Sequence, residues 1–186
     1  MRPELKLAEE IVTPAEEADL IALMERSGLV QFAYDPDNPR SSTSFGWKYD
    51  FRGDTFVPCA PMPAGFDRVA ALAAAFAGVA VGDLAECLLN RYDPGAVIQP
   101  HFDKPCWEHV VGISLGSAAT MEFRREVDGA WEQAPLELPP RSMYLLAGDT
   151  RHVWQRGLPP VRSTRWSITF RTFSAEGLRL RDQAAA

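Results

Sequence analysis

Seven short apolar segments, each bounded by turn signals, restrict the folds that are open to this 186-residue chain. They follow two helical patterns and occupy Glu86 to Tyr92, His109 to Leu115, Ala119 to Arg125, Trp131 to Leu138, Ser142 to Leu146, His152 to Gln155 and Arg165 to Phe173. Many short strands with few helices pack as two sheets or close into a barrel. We therefore predict one mainly β domain, a double-stranded β-helix (jelly roll) at residues 85–173, with helices bracing one sheet.

Both helical patterns precede the strands. The first lies within residues 1–30, begins at Thr13 with a capping pattern of Thr, Pro and Glu, and ends at Gly28. The second is rich in alanine, runs from Phe66 to about Ala77 and ends at Gly78. We expect the apolar faces of both helices to pack on the domain.

Composition limits the partners and the compartment. The net charge of −6 argues against a broad nucleic-acid footprint, although a positive cleft on an acidic body stays open. Three cysteines without metal-type spacing are typical of a reduced chain. The first residues include acids and no apolar leader, and no run of eighteen apolar residues follows. We expect a cytoplasmic monomer that does not enter a membrane.

A candidate site lies in the stretch NRYDPGAVIQPHFD. His101 and Asp103 are two residues apart, so an extended backbone points both side chains to one face, where they could bind one metal ion. Asn90 and Tyr92 share a second face, and a Pro-Gly turn separates the two pairs. An imidazole and a carboxylate fit the facial triad of non-haem iron(II) oxygenases, which needs one more ligand. A solvated turn is the alternative.

The last segment, RWSITFRTF, alternates apolar and polar residues and is typical of a strand with one apolar face. Its other face carries two arginines with hydroxyl groups between them, a set suited to a small dicarboxylate: Arg165, Ser167, Thr169 and Arg171. An ordinary solvated face is the alternative.

Together, N-x-Y, H-x-D about ten residues later and the closing R-x-x-x-x-x-R strand resemble the AlkB family of iron(II)/2-oxoglutarate-dependent oxygenases. The resemblance covers roughly Phe45 to Phe173. It implies the jelly roll of these oxygenases, Fe(II) and 2-oxoglutarate as cofactors, and dioxygen as a further substrate. It also implies 2-oxoglutarate contacts from Asn90, Tyr92, Arg165, Ser167 and Arg171, and iron ligands from His101 and Asp103.

The family's third iron ligand, a histidine, falls in a segment that here reads WQRGLPP, and the matching position is Arg156. A guanidinium stays protonated and offers no lone pair, so it cannot bind iron. His152 lies four residues earlier, about 13 Å away along a strand, and needs a bulge to reach the metal. The sequence therefore predicts a metal site that is complete only in part, with His152 as the candidate third ligand.

The resemblance implies a dioxygenase that removes an N-alkyl group, as a demethylase does, from a nucleobase in nucleic acid or a nucleotide. The resemblance places residues 40–57 in a flap over the substrate, where Trp47 either stacks on a base or packs in the core. The polar, proline-rich segment from Tyr34 to Ser44 is predicted to be a loop or the base of a lid. Lys104 is followed by Pro-Cys-Trp instead of acidic residues, so the base cannot be named. Two alternatives stay open, a 2-oxoglutarate-binding fold with impaired or lost turnover and an oxygenase of a protein or small molecule.

Overall fold

The computed structural model describes residues 5–184. Within that range the strands are β1 (Lys6–Ala8), β2 (Val30–Gln31), β3 (Arg40–Asp50), β4 (Thr55–Pro58), β5 (Leu84–Tyr92), β6 (Ile98–His101), β7 (Trp107–Gly116), β8 (Ala119–Val127), β9 (Ala130–Leu138), β10 (Ser142–Leu146), β11 (Gln155–Leu158) and β12 (Arg165–Phe173). The helices are α1 (Pro14–Glu25), α2 (Asp67–Ala77), α3 (Asp149–His152) and α4 (Ala175–Ala184). Over the same residues, no helix has the length and apolar character needed to cross a membrane.

The strands form two antiparallel sheets. The major sheet has the order β1-β10-β7-β12-β5-β3-β2, with β4 added to β3, and the minor sheet has the order β6-β11-β8-β9. Several neighbours, such as β10 with β1, β12 with β5 and β6 with β11, come from distant parts of the chain, which is the arrangement of a jelly roll. The predicted fold class is confirmed.

Both predicted long helices are present and brace one face of the major sheet. Thr13 caps α1 in a complete capping box with Glu16, and Gly78 ends α2 in the left-handed conformation. Met24 of α1 packs in one apolar cluster with strand residues that include Leu89 and Ile168. The helices thus cover the apolar face of β12 and leave its polar face for the space between the sheets.

Two predicted boundaries were wrong. The polar segment from Tyr34 to Ser44 is not wholly a loop, because β3 begins at Arg40 and pairs with β5 from Arg40↔Tyr92 onward. The predicted strand from His152 to Gln155 is also wrong. Residues 149–152 form a helical turn that Thr150 closes with hydrogen bonds to Ala147, and the strand begins at Gln155.

Candidate active site

A cavity of about 80 Å³ opens between the two sheets. One water molecule needs about 10–15 Å³ of cavity volume. The cavity therefore has room for a small organic acid. The polar residues that line it are Arg40, Asn90, Tyr92, His101, Tyr144, Arg156, Arg165, Ser167, Thr169 and Arg171. All five residues predicted to bind 2-oxoglutarate are therefore on one cavity wall, brought there by β5 and β12.

Strand register explains this convergence. The strands β5 and β12 are antiparallel neighbours that place Ser167 opposite Asn90 and Arg165 opposite Tyr92. Because side chains alternate along a strand, these residues point to the same face of the sheet. The Asn90 amide donates to Ser167 Oγ across 3.5 Å, and its oxygen accepts from Arg40 Nη2 at 2.7 Å.

Arg165 is held in a fixed position in the cavity wall. Its side chain is almost wholly buried, with 2% of the residue exposed, and its Nε donates to Ser114 Oγ at 3.0 Å. The guanidinium carbon lies 5.2 Å from the centre of the Tyr92 ring. Burial of the Tyr92 hydroxyl opposes its ionisation, but Arg40 and Arg165 outweigh burial and lower the pKa of Tyr92. The positive charge of Arg40 and Arg165 beside Tyr92 favours a negatively charged ligand.

The second arginine of the motif has protein partners of its own. Arg171 Nη1 lies 2.6 Å from the buried carboxylate of Glu86, and Arg171 Nη2 lies 3.9 Å from Asp103 Oδ1. Ser44 donates a further hydrogen bond to Glu86 at 2.9 Å. Arg171 therefore links the cosubstrate wall to the predicted metal ligand, and part of its charge is already neutralised.

The predicted metal pair lies at the other side of the cavity. His101 ends β6 at the exposed rim, and its Nδ1 donates to the Gln99 carbonyl oxygen at 2.8 Å, which leaves the Nε2 lone pair free for a metal. Asp103 is buried and forms an ion pair with Arg156. Burial raises the pKa of Asp103, but Arg156 and Arg171 outweigh it, so the pKa falls below its ordinary value. Asp103 is therefore ionised at neutral pH.

Arg156 occupies the position where the third metal ligand is expected. It lies directly opposite His101 on the paired strands β11 and β6. Two effects lower the pKa of His101. The larger is desolvation of the imidazole by burial, and the second is repulsion from Arg156. A cation at this point repels a metal ion, and the guanidinium has no lone pair with which to bind one.

The structure does not bring His152, the candidate third ligand, to His101 and Asp103, which agrees with a metal site that is complete only in part. His152 ends the short helix α3 and is exposed, because the chain turns at residues 149–152 instead of forming a bulged strand. Across residues 5–184, no three or more His, Cys, Asp and Glu side chains are grouped so that they could hold a metal ion. The residues present do not provide the three protein ligands of a facial triad.

The structure favours a packing role for Trp47. Its ring is partly buried against the apolar cluster between the sheets and lies 6.3 Å from the ring of Phe173 in an edge-to-face contact. It does not line the cavity. The predicted stacking of Trp47 on a substrate base is therefore not supported by its position, and the core alternative is favoured.

Several site residues were not recognised in the sequence. Glu86 shares the β5 face of Asn90 and Tyr92, and a lone acid in an apolar strand at that spacing was a usable signal. Arg40 was missed because its segment was assigned to a loop. Ser114 and Tyr144 carry no local signal, because long-range strand pairing alone brings Tyr144 to the cavity and Ser114 to Arg165.

Arg151 was also missed, and it positions the loop that carries Asp103. It is 2% exposed and donates to the backbone carbonyls of Asp103, Lys104 and Trp107. Such bonds fix a loop that has few ladder hydrogen bonds of its own. Arg151 is therefore a positioning residue that acts through the backbone on the placement of the Asp103 carboxylate.

Residues 33–175 match the family described as the 2OG-Fe(II) oxygenase superfamily. Among curated proteins, the chain is 35% identical to an uncharacterized protein of Acanthamoeba polyphaga mimivirus over 107 residues, which is 50% of each chain. It is 27% identical to the tRNA (carboxymethyluridine(34)-5-O)-methyltransferase ALKBH8 of Mus musculus, covering 85% of this chain and 24% of that protein. It is 28% identical to the alpha-ketoglutarate-dependent dioxygenase AlkB of Escherichia coli, covering 68% and 66%.

Solved structures support the same fold. The structure of OsALKBH1 superimposes with a TM-score of 0.72 at 16% identity and covers 92% of this chain and 98% of that chain. A Pseudomonas putida prolyl-4-hydroxylase superimposes with a TM-score of 0.62 at 14% identity, covering 91% and 92%. The chain spans about half the length of the mimivirus relative and about a quarter of the ALKBH8 protein.

Proposed function

The chain belongs to the 2OG-Fe(II) oxygenase superfamily and is AlkB-like, and we propose that it is a dioxygenase that oxidises an N-alkyl group on a nucleobase with 2-oxoglutarate. The family implies a dioxygenase with Fe(II) and 2-oxoglutarate as cofactors. The observation that carries the proposal is the convergence of the two family motifs, N-x-Y and R-x-x-x-x-x-R, on one cavity wall.

In this proposal the chain's own residues bind and orient the cosubstrate. Arg165, buried and held by Ser114, pairs with one carboxylate of 2-oxoglutarate, and Tyr92 donates its hydroxyl beside it. Asn90 and Ser167 give the ligand neutral hydrogen bonds, which fix its orientation without adding charge. Because the residues beside Asp103 do not form a three-ligand metal site, we assign no step of the reaction to iron.

A nucleobase substrate is supported by an aromatic rim, which consists of Phe32, Tyr34 and Phe51. The ring centres are 5.6 Å apart for Phe32 and Tyr34 and 5.1 Å apart for Tyr34 and Phe51. Tyr34 is 40% exposed and Phe51 is 52% exposed. Exposed aromatic faces are stacking platforms for unpaired bases, and their affinity depends little on the identity of the base.

The aromatic rim adjoins the cavity at one end, and a lysine lies at its other end. The guanidinium of Arg40, which lines the cavity, lies 4.3 Å from the centre of the Phe32 ring. At the other end, Lys104, which follows Asp103, lies 5.7 Å from the centre of the Phe51 ring. A base stacked on the rim thus lies beside the cosubstrate wall, with Lys104 near its phosphate. The chain has a net charge of −6, which disfavours binding of a long duplex. A local cation on such a chain suits a single nucleotide better.

The names of the relatives support the same substrate class. One is a tRNA methyltransferase, and a further relative in Arabidopsis thaliana, 26% identical over 84% of this chain, is an alkylated DNA repair protein homolog. Both names refer to nucleic acid, one to RNA and one to DNA. We therefore propose an alkylated base in single-stranded nucleic acid or a nucleotide as the substrate.

Removing one ring of the rim should weaken nucleotide binding. We expect Phe51→Ala to lower the affinity for a short oligonucleotide with N-methylated bases by roughly 1 kcal/mol, about fivefold, as measured by fluorescence anisotropy. Trp131→Ala is the matched control, because Trp131 is equally exposed, at 50%, but lies over Arg124 on the minor sheet. Equal losses in both variants would place nucleotide binding away from the rim.

Turnover tests the whole proposal. Carbon dioxide released from 2-oxoglutarate, with added Fe(II) under air, should rise when an N-methylated oligonucleotide is present, and formaldehyde should appear with it. An unmethylated oligonucleotide of the same sequence and the variant Arg165→Ala are the controls. Release that is the same with and without the methyl groups would refute the nucleobase substrate and favour the protein or small-molecule alternative.

The position of Arg156 supports a second candidate function. Its ion pair with Asp103 fills the place of a metal ligand, which is the geometry expected of a 2-oxoglutarate-binding fold with impaired or lost turnover. The same assay separates the two candidates. Binding of 2-oxoglutarate without release of carbon dioxide at any Fe(II) concentration supports the second candidate and contradicts the first.

A further inference from the structure

The cavity holds more positive than negative charge. Four arginines line it, namely Arg40, Arg156, Arg165 and Arg171. The carboxylates that pair with them are Asp103 and Glu86, so four cations face two anions and the difference is two positive charges. Arg151 adds a cation near Asp103, but its guanidinium is bound to backbone carbonyls. Charge of one sign in a buried site is costly until a counter-ion neutralises it, and a dianion matches this excess.

Two arginine nitrogens in the cavity wall lack partners. Arg156 Nη1 and Arg171 Nε are buried and make no hydrogen bond to any of residues 5–184. Arg156 is 8% exposed, so solvent does not replace the missing acceptor. Buried donors in native proteins are nearly always satisfied, by protein, water or ligand. A ligand with acceptor oxygens that reached these two donors would satisfy them.

Two of the four arginines that line the cavity come from different sheets. Arg156 is on β11 of the minor sheet, and Arg165 is on β12 of the major sheet. Both line the one cavity, so a ligand with an anionic group at each end can contact both sheets. Guanidinium groups bind carboxylates in a bidentate manner, which fixes orientation as well as charge.

Arg156 also takes the place of the missing metal ligand. A divalent ion that bound Asp103 would have to break the buried Arg156–Asp103 ion pair and would gain only His101 and Asp103 as protein ligands. A carboxylate ligand needs no such exchange, because Arg156 Nη1 is unpartnered while the ion pair is intact.

From these observations we infer that the cavity binds a dicarboxylate without a divalent metal, with Arg156 and Arg165 contacting its two carboxylate groups. The inference rests on the second candidate function, the 2-oxoglutarate-binding fold with impaired or lost turnover, and deepens it, since it concerns the same cavity and the same class of ligand. It assigns Arg156 a ligand-binding role that the iron site of the family does not include. The 2-oxo group contributes little to this mode of binding, because arginines recognise the two carboxylates and not the ketone.

Calorimetric titration in the presence of EDTA tests this inference. Both 2-oxoglutarate and glutarate, which lacks the 2-oxo group, should bind to the metal-free protein with affinities within about threefold of each other. Arg156→Gln should lower both affinities about tenfold or more, which is the usual loss for a charge-assisted contact. Arg124→Gln, on the adjacent strand β8 and outside the cavity, should leave them unchanged.

The variant Arg156→Lys distinguishes a loss of ligand contacts from a loss of the fold. Lysine keeps the charge beside Asp103 but loses the bidentate fork, so an intermediate affinity is expected. Thermal melting of each variant shows whether the fold is retained. Binding that appears only when Fe(II) is added, or that is unchanged in Arg156→Gln, overturns the inference and leaves the proposed function intact. Failure of 2-oxoglutarate to bind with and without Fe(II) overturns both.

Discussion

Replacing Arg165 with alanine should weaken 2-oxoglutarate binding about tenfold to a hundredfold. Arg165 is almost wholly buried, is held by Ser114 and stacks on Tyr92, so its guanidinium is preorganised for a carboxylate. Removing a charge-assisted hydrogen-bond donor costs roughly 1.5–3 kcal/mol, which corresponds to this range of affinity. Isothermal titration calorimetry with the wild type and the variant measures the change directly.

Arg68→Ala is the matched control for this experiment. Arg68 is an exposed arginine on α2 that pairs with Glu16, far from the cavity lining, and its removal should leave 2-oxoglutarate affinity unchanged. Arg171→Ala is a less clean test. Arg171 neutralises the buried Glu86, so its loss leaves an uncompensated buried charge and lowers the free energy of unfolding as well as affinity. Unchanged affinity in Arg165→Ala would contradict the assignment of the cosubstrate wall.

Patterns of period two correctly predicted which candidate residues share a strand face. Asn90 and Tyr92 on one strand, and Arg165, Ser167 and Arg171 on another, each share a face, and the antiparallel pairing of β5 with β12 joins the two faces. Each motif is local, so sequence spacing determines which side of its strand it occupies. The prediction of a jelly roll followed from the same alternation, repeated along the chain.

The unpredicted part of the site depends on contacts between segments far apart in sequence. Arg40 reaches Asn90 from a position fifty residues earlier, and Arg151 reaches the carbonyl of Asp103 from forty-eight residues later. No local periodicity encodes such partners. The helical turn that ends at His152 was likewise missed. The turn is short and is closed by Thr150, and the apolar residues around it have the pattern that predicts a strand.

Arg156→His should give the protein a metal site. On the paired strands, position 156 lies directly opposite His101, and its side chain already contacts Asp103. The substitution removes a cation and adds a neutral nitrogen donor, which yields two histidines and one carboxylate. Repulsion between unit charges 4 Å apart is on the order of 4 kcal/mol at an effective dielectric constant of 20. We therefore expect Fe(II) to bind at least about a hundredfold more tightly, as measured by anaerobic calorimetry.

Two further variants show which residues form that metal site. In the Arg156→His background, Asp103→Asn should abolish the gain in Fe(II) affinity, because the carboxylate supplies the negative charge of the site. His152→Ala should have little effect in either background, since His152 is exposed at the end of α3. Loss of Fe(II) binding in His152→Ala, together with no gain in Arg156→His, would mean that the chain brings His152 to the metal by a rearrangement of residues 149–155. In that case Arg156 would not be the residue that limits metal binding, and iron would bind through His101, Asp103 and His152.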